Sequence, residues 1–196
     1  MKPFRTVLLA LLLMVPPAAV AVTEAVLRYP ARFAEVVPGK VYRGGQPNAR
    51  HVENLARDKG VKTIISLTDD LDKPPYSDEK RAAKALGVRL LHFPMPGDGC
   101  GDFGALDRAA DALGAVLRDP NQWPVFFHCN AGKQRSNALQ AAYRMRVQGW
   151  TIDRALQELE RDYGLDREEE SKLAEHLRAY AKWLEASGNR GLRGAD

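Results

Sequence analysis

The chain reads as an α/β protein with a central, mostly parallel sheet flanked by helices. Three observations predict this. Short apolar runs at residues 61–67, 88–93 and 125–127 are each separated from the next by a stretch of helical character. The C-terminal third carries helical stripes only, Ile152, Ala155, Leu156, Leu159 and Tyr163 followed by Leu173, Leu177, Tyr180 and Leu184. Between the last apolar run and the next helix stands His128-Cys129-Asn130-Ala131-Gly132-Lys133-Gln134-Arg135-Ser136, a strand–loop–helix passage of the kind that cradles an anion.

The elements follow in order. Residues 1–22 form a leader: Lys2 and Arg5 precede an apolar stretch at 7–22, broken by Pro16-Pro17 and ending in Ala19-Val20-Ala21. That pattern predicts a signal peptide or a membrane anchor. Either would place the folded domain outside the cytoplasm, exported, periplasmic or membrane-anchored. Residues 23–35 are expected to be a connector and 36–186 the folded domain. Residues 36–43 read as a first strand interrupted by Pro38-Gly39. Asn48 is placed to cap a helix that ends at Lys59-Gly60, and Ser77 to cap one ending at Gly87. Residues 94–104 form a Gly/Pro-rich loop. Leu106, Ala109, Leu113, Val116 and Leu117 mark a helix face that Pro120 ends, and residues 137–148 read as the helix leaving the Cys129 loop. The Gly-rich residues 187–196 are expected to be a disordered tail.

Composition narrows the function. The chain has 196 residues, 45% hydrophobic and 28% charged, with a net charge of +4. A single folded domain with extensions follows. No basic run is interleaved with aromatics, so nucleic acid is not an expected partner. Two cysteines, Cys100 and Cys129, exclude a disulfide framework, and the four histidines have no metal-ligand spacing; no metal or other cofactor is expected.

The chemistry is carried by Cys129 and Arg135. Five residues separate them, so backbone N–H groups of Asn130, Ala131, Gly132, Lys133, Gln134 and Arg135 can ring an oxyanion. The Arg135 guanidinium can grip two of its oxygens. The same positive field favours a Cys129 thiolate, which is a nucleophile when held beneath a phosphate. Gly132 allows the tight turn. Ser136 puts a hydroxyl where it can stabilise the thiolate as a leaving group. Ester cleavage also needs a proton donor on a facing loop. Two candidates lie on the 94–104 loop, Asp98 and Asp102, and Asp102 could equally cap the helix starting near Phe103. Asp69 and Asp70 are turn residues that could line the mouth. His128 is expected to organise the loop, and Arg43 and Gln46 to serve structure or buttress the site. Cys100 either packs as a small hydrophobe or pairs reversibly with Cys129.

The run from His128 to Ser136 resembles the signature of the cysteine-based protein tyrosine and dual-specificity phosphatases. Val41-Tyr42-Arg43-Gly44-Gly45-Gln46-Pro47 and residues 60–67 look like the opening of the compact bacterial and fungal members. One departure is Asn137, where the family usually has Gly. The resemblance implies a protein tyrosine phosphatase-like fold and a hydrolase acting on phosphotyrosine, phosphoserine or phosphothreonine through a cysteinyl-phosphate. Pro94-Met95-Pro96-Gly97-Asp98-Gly99 also resembles the family's acid loop, which implies Asp98 as the proton donor, with Asp102 as the alternative. Lys133 and the Cys-Asn-x-Gly-Lys-x-Arg run also resemble enzymes of inositol phosphates and phosphoinositides. An inactive phosphate-binding module or a rhodanese-like sulfurtransferase would be the competing readings. The expected partner is a phosphorylated protein or an inositol phosphate, with membrane attachment through the N-terminal segment.

Overall fold

The computed structural model describes residues 28–69 and 72–188. The leader, Asp70, Leu71 and all but the first two residues of the tail lie outside these. Five strands form one sheet: β1 (Ala34–Val37), β2 (Val41–Gly44), β3 (Thr63–Ser66), β4 (Arg89–His92) and β5 (Val125–His128). Their order is β1-β2-β5-β3-β4. Only β1 runs antiparallel to its neighbour; β2, β5, β3 and β4 are parallel. The expected first strand is in fact a hairpin, because Pro38-Gly39 makes a turn rather than an interruption, with Gly39 at φ 67°.

Register fixes where the loops go. Gly44 and Ser66 both pair with His128, and Ser66 also pairs with His92. The C-terminal ends of the four parallel strands therefore align at one edge. The loops that leave them, starting at Gly45, Leu67, Phe93 and Cys129, crowd together there. In open parallel sheets this edge is where ligands bind.

Among the described residues six helices cover the sheet: α1 (Ala49–Lys59), α2 (Tyr76–Ala85), α3 (Phe103–Arg118), α4 (Gln134–Arg146), α5 (Ile152–Tyr163) and α6 (Ser171–Ala186). Alternation along the strands divides the core. Val125, Phe127 and Ile65 face α3 to α6, whereas Phe126, Ile64 and Tyr42 face α1 and α2. Residues 28–33, read as connector, pack on the second cluster: Tyr29 stacks on Phe33 at 4.4 Å and Phe33 on Tyr42 at 5.5 Å.

Local signals explain several boundaries. Asn48 accepts from His51 N at 2.8 Å, and Gly60 closes α1 in the left-handed conformation. Ser77 does not cap α2, which begins one residue earlier behind Pro75 without a side-chain cap. Helix α4 starts at Gln134 rather than 137, so Arg135 and Ser136 belong to its first turn.

Helix α4 runs through the interior, with every residue from Arg135 to Met145 buried. Its polar residues therefore need partners. Gln140 accepts from Arg43 Nη1 at 2.6 Å and donates to Glu158 Oε2 at 2.9 Å. Arg144 donates through Nε to the same Glu158 oxygen at 2.9 Å and through Nη2 to Val36 O at 3.2 Å. Glu158 thus ties α5 to α4, and Arg144 carries the link on to β1. Glu158→Ala strands two buried donors. We expect a loss of about 3 kcal/mol or more in denaturant unfolding, and a loss under about 1 kcal/mol would contradict this role.

Candidate active site

Cys129 leaves β5 at the centre of the aligned edge and is buried, with 2% exposure. Gly132 donates its N–H to the Cys129 sulfur at 3.2 Å. The loop closes tightly because Gly132 has φ 69° and lies against another backbone: a Cβ there would meet Gly44 C and Gly45 N at 2.7 Å. No side chain fits at either demand.

Burial alone would raise the Cys129 pKa. The Ser136 hydroxyl and the N–H groups of Ser136, Lys133 and Gly132 act the other way and together prevail, so the thiol is held below its ordinary range. Ser136 Oγ is buried and has no hydrogen-bond partner of regular geometry among the described residues. Its hydroxyl can therefore turn to the sulfur.

Arg135 is 7% exposed and stands in the first turn of α4. Nη1 donates to Leu67 O at 3.2 Å and to Met95 O and Asp69 Oδ1 at 3.4 Å. Its Nε is buried without a partner among the described residues. An unmatched buried donor costs about 1–3 kcal/mol, so a site that keeps one is suited to an arriving acceptor.

The strand end is locked from the other face. His128 Nε2 meets Glu79 Oε1 at 2.8 Å, and Gln46 Nε2 donates to Glu79 Oε2 at 2.6 Å. His128 and Glu79 are fully buried. These contacts agree with the expected loop-organising part of His128 and with a buttress at Gln46. Glu79 went unrecognised in the sequence, where it looks like an ordinary first-turn acid of a helix. Asn137 also has a partner: its Oδ1 accepts from Arg43 Nη2 at 2.8 Å. Lys133 is half-buried; its carbonyl accepts from Asn137 N at 2.7 Å, and its ammonium makes no hydrogen bond or ion pair among the described residues.

The two candidate donors are both engaged. Asp102 caps α3, accepting from Ala105 N at 2.9 Å. Asp98 accepts from Cys100 N through Oδ1 at 3.0 Å and is ion-paired with Lys172 of α6 through Oδ2. Lys172, then the Cys100 N–H, hold its carboxyl below the usual range. The loop carrying Asp98 abuts the Cys129 loop, since a Cβ on Gly99 (φ 76°) would meet Gln134 O at 2.9 Å. Asp69 reaches Arg135 from an exposed position; Asp70 lies outside the described residues.

Both cysteines are free thiols. Cys100 Sγ lies 3.7 Å from Asp98 O and 3.8 Å from Lys172 O, and burial followed by Asp98 pushes its pKa up. That environment fits the packing reading of Cys100.

The family model "Tyrosine phosphatase family" matches residues 27–185. The chain belongs to that family. It is 30% identical over 150 residues to the dual specificity protein phosphatase TpbA of Pseudomonas aeruginosa, covering 76% of this chain and 62% of TpbA. It spans only half the length of a second strain's TpbA. The crystal structure of P. aeruginosa TpbA superposes with a TM-score of 0.61 at 27% identity, covering 83% of this chain and 99% of that one. The inositol diphosphatase SIW14 of Saccharomyces cerevisiae is 28% identical, covering 67% of this chain and 45% of SIW14.

The opposite shifts of the two thiols are directly testable. Near neutral pH, iodoacetamide should label Cys129 and leave Cys100 unlabelled, and Ser136→Ala should move the Cys129 labelling midpoint to higher pH. Equal labelling of both cysteines, or an unmoved midpoint, would contradict the site's electrostatics.

Proposed function

We propose that this protein hydrolyses phosphate monoesters through a cysteinyl-phosphate intermediate. The reading rests on one observation above all: a buried Cys129 sulfur receives a loop N–H and stands with a buried Arg135 whose Nε lacks a partner. Family membership and the similarity to TpbA support it. The Cys129 thiolate attacks phosphorus, an S–P bond forms, and the ester P–O bond breaks. Loop N–H groups at 130–135 and Arg135 hold the equatorial oxygens as charge builds on them. The leaving oxygen takes a proton from Asp98. Water then attacks phosphorus and gives its proton back to Asp98. The S–P bond breaks, with Ser136 steadying the returning thiolate, and inorganic phosphate departs.

Asp98 is taken as the donor because its loop abuts the Cys129 loop at Gly99, whereas Asp102 caps α3. With Lys172 on its outer oxygen Asp98 rests as the carboxylate, the form the second step requires. Delivering a proton in the first step requires that contact to loosen.

A phosphorylated protein is the substrate class favoured by the likeness to TpbA, one structure of which is a complex with pTyr. An inositol phosphate or phosphoinositide is the second reading, favoured by the Lys133 ammonium, which has no partner among the described residues, and by the likeness to SIW14. The pattern of residues 2–22 supports export, with the domain in the periplasm or anchored at a membrane outside the cytoplasm. Among the described residues no helix is long and apolar enough to cross a membrane.

Cys129→Ser and Arg135→Ala should each lower kcat/KM on an aryl phosphate by at least about a thousandfold without unfolding. Near wild-type turnover in either variant would remove the mechanism. Asp98→Asn should slow a poor leaving group far more than an activated one, because only the former needs the proton. If Asp102→Asn shows that selectivity instead, the donor is Asp102.

Lys172 supplies a further test through pH. It lowers the Asp98 pKa, so Lys172→Met should raise it. The protonated acid then survives to higher pH, and the falling basic limb of kcat/KM for an unactivated ester moves upward. An unmoved or downward-moving limb would exclude Lys172 from the proton transfer.

A further inference from the structure

The outer side of the Cys129 loop carries a pattern that the chemistry above does not use. Three successive carbonyls are taken by donors from outside the loop. Asn130 O accepts from Gln46 N at 3.0 Å, Ala131 O from Arg32 Nη1 at 2.8 Å, and Gly132 O from Arg43 Nη2 at 3.1 Å. In a planar trans peptide the C=O and the following N–H point in opposite directions. Each outside donor therefore turns the next N–H, those of Ala131, Gly132 and Lys133, towards the loop's interior. The Gly132 N–H indeed lies 3.2 Å from the Cys129 sulfur.

We propose that Arg32 and Arg43 are positioning residues of the phosphate-binding loop, holding its Ala131 and Gly132 carbonyls outward so that the next two N–H groups converge on Cys129 and its phosphoryl group. This rests on the phosphatase reading given above.

The two arginines are built differently for the task. Arg43 is 1% exposed and fixed on several sides: Nη1 on Gln140, Nη2 shared between Gly132 O and Asn137 Oδ1, and the guanidinium 4.3 Å from the Tyr163 ring centre. Burial pushes its pKa down to about 10, which leaves it a cation at neutral pH. It thus adds field as well as geometry at the sulfur. Arg32 is exposed and holds a left-handed backbone (φ 53°), the one non-glycine residue to do so among those described. That conformation is uncommon outside glycine, and here it accompanies a side chain laid on the loop. Asn137, the departure from the family pattern, belongs to the same arrangement as an anchor for Arg43.

The charged and titratable groups on the Cys129 loop and its neighbours are Arg32, Arg43 from β2, His128 from β5 with Glu79 on its ring, Lys133, and Arg135 with Asp69 on its guanidinium; Asp98 belongs to the loop that abuts the Cys129 loop at Gly99. Only Arg32, Arg43 and Asn137 need be changed for the test. The full chain is titrated by the pH dependence of iodoacetamide alkylation at Cys129, with melting temperature as the check on folding and aryl phosphate turnover measured alongside. A residue that serves stability alone would move the melting temperature and leave the thiol titration where it was.

Arg32→Ala, a surface change, should raise the alkylation midpoint by about half a pH unit and lower kcat several-fold. Arg43→Lys, which keeps the charge and loses the fork, should raise it by about one unit. Should that variant melt early, Asn137→Ala, which frees one anchor of Nη2, decides for Arg43 and should shift the midpoint in the same direction by less. Folded Arg32→Ala and Asn137→Ala proteins with the wild-type midpoint and kcat would overturn the proposal while leaving the mechanism standing. Undiminished turnover by Cys129→Ser would instead overturn the mechanism, whatever the titration shows.

Discussion

The close approach of two backbones, Gly132 against Gly44-Gly45, is the constraint on which the site depends. It brings the end of β2 under the loop that leaves β5, and it leaves no room for a Cβ. With that contact made, the loop curls with its carbonyls outward and its N–H groups inward. A concave row of donors results, and a thiolate beneath it is stabilised without a full positive charge in contact with it. The parallel register of β2 and β5, with Gly44 paired to His128, delivers the two segments to the same point. The sheet order therefore helps to build the site.

A second layer holds this arrangement rigid. On one face of the sheet, buried Glu79 joins His128 to Gln46; on the other, Arg43, Gln140, Glu158 and Arg144 form a chain from the loop to α5. Buried polar groups are costly unless fully matched, and matched networks specify one packing rather than add much stability. Here the specificity concerns where the Gly132 carbonyl and the Cys129 sulfur lie. Among the described residues few buried side-chain polar atoms are unmatched, and one of them is Arg135 Nε, a donor left for an acceptor.

Much of this was legible in the chain. Alternating apolar runs and helical stripes yielded the parallel sheet, because parallel strands are buried on both faces and stand out as continuous apolar segments. The Cys-x5-Arg spacing and Gly132 gave the loop, since the chemistry of an anion cradle is local in sequence. Contacts between distant segments were not legible. Glu79 lies 49 residues from His128, and Lys172 lies 74 from Asp98; neither side chain carries a local mark. The start of α4 was misplaced because its first turn is polar, and that polarity serves the site rather than the helix. Asp102 illustrates a different limit. Its residue type suits both a proton donor and a helix cap, and only the bond to Ala105 N shows which geometry it adopts.

The central claim is that phosphate passes through covalent attachment to Cys129. Acid quenching during turnover of an aryl phosphate, followed by peptide mass spectrometry, tests it most directly. The account predicts a phosphoryl adduct on the peptide bearing Cys129, formed within the first turnover and absent in Cys129→Ser. Steady release of inorganic phosphate with no adduct on that peptide, from an enzyme whose Cys129→Ser variant remains active, would contradict it.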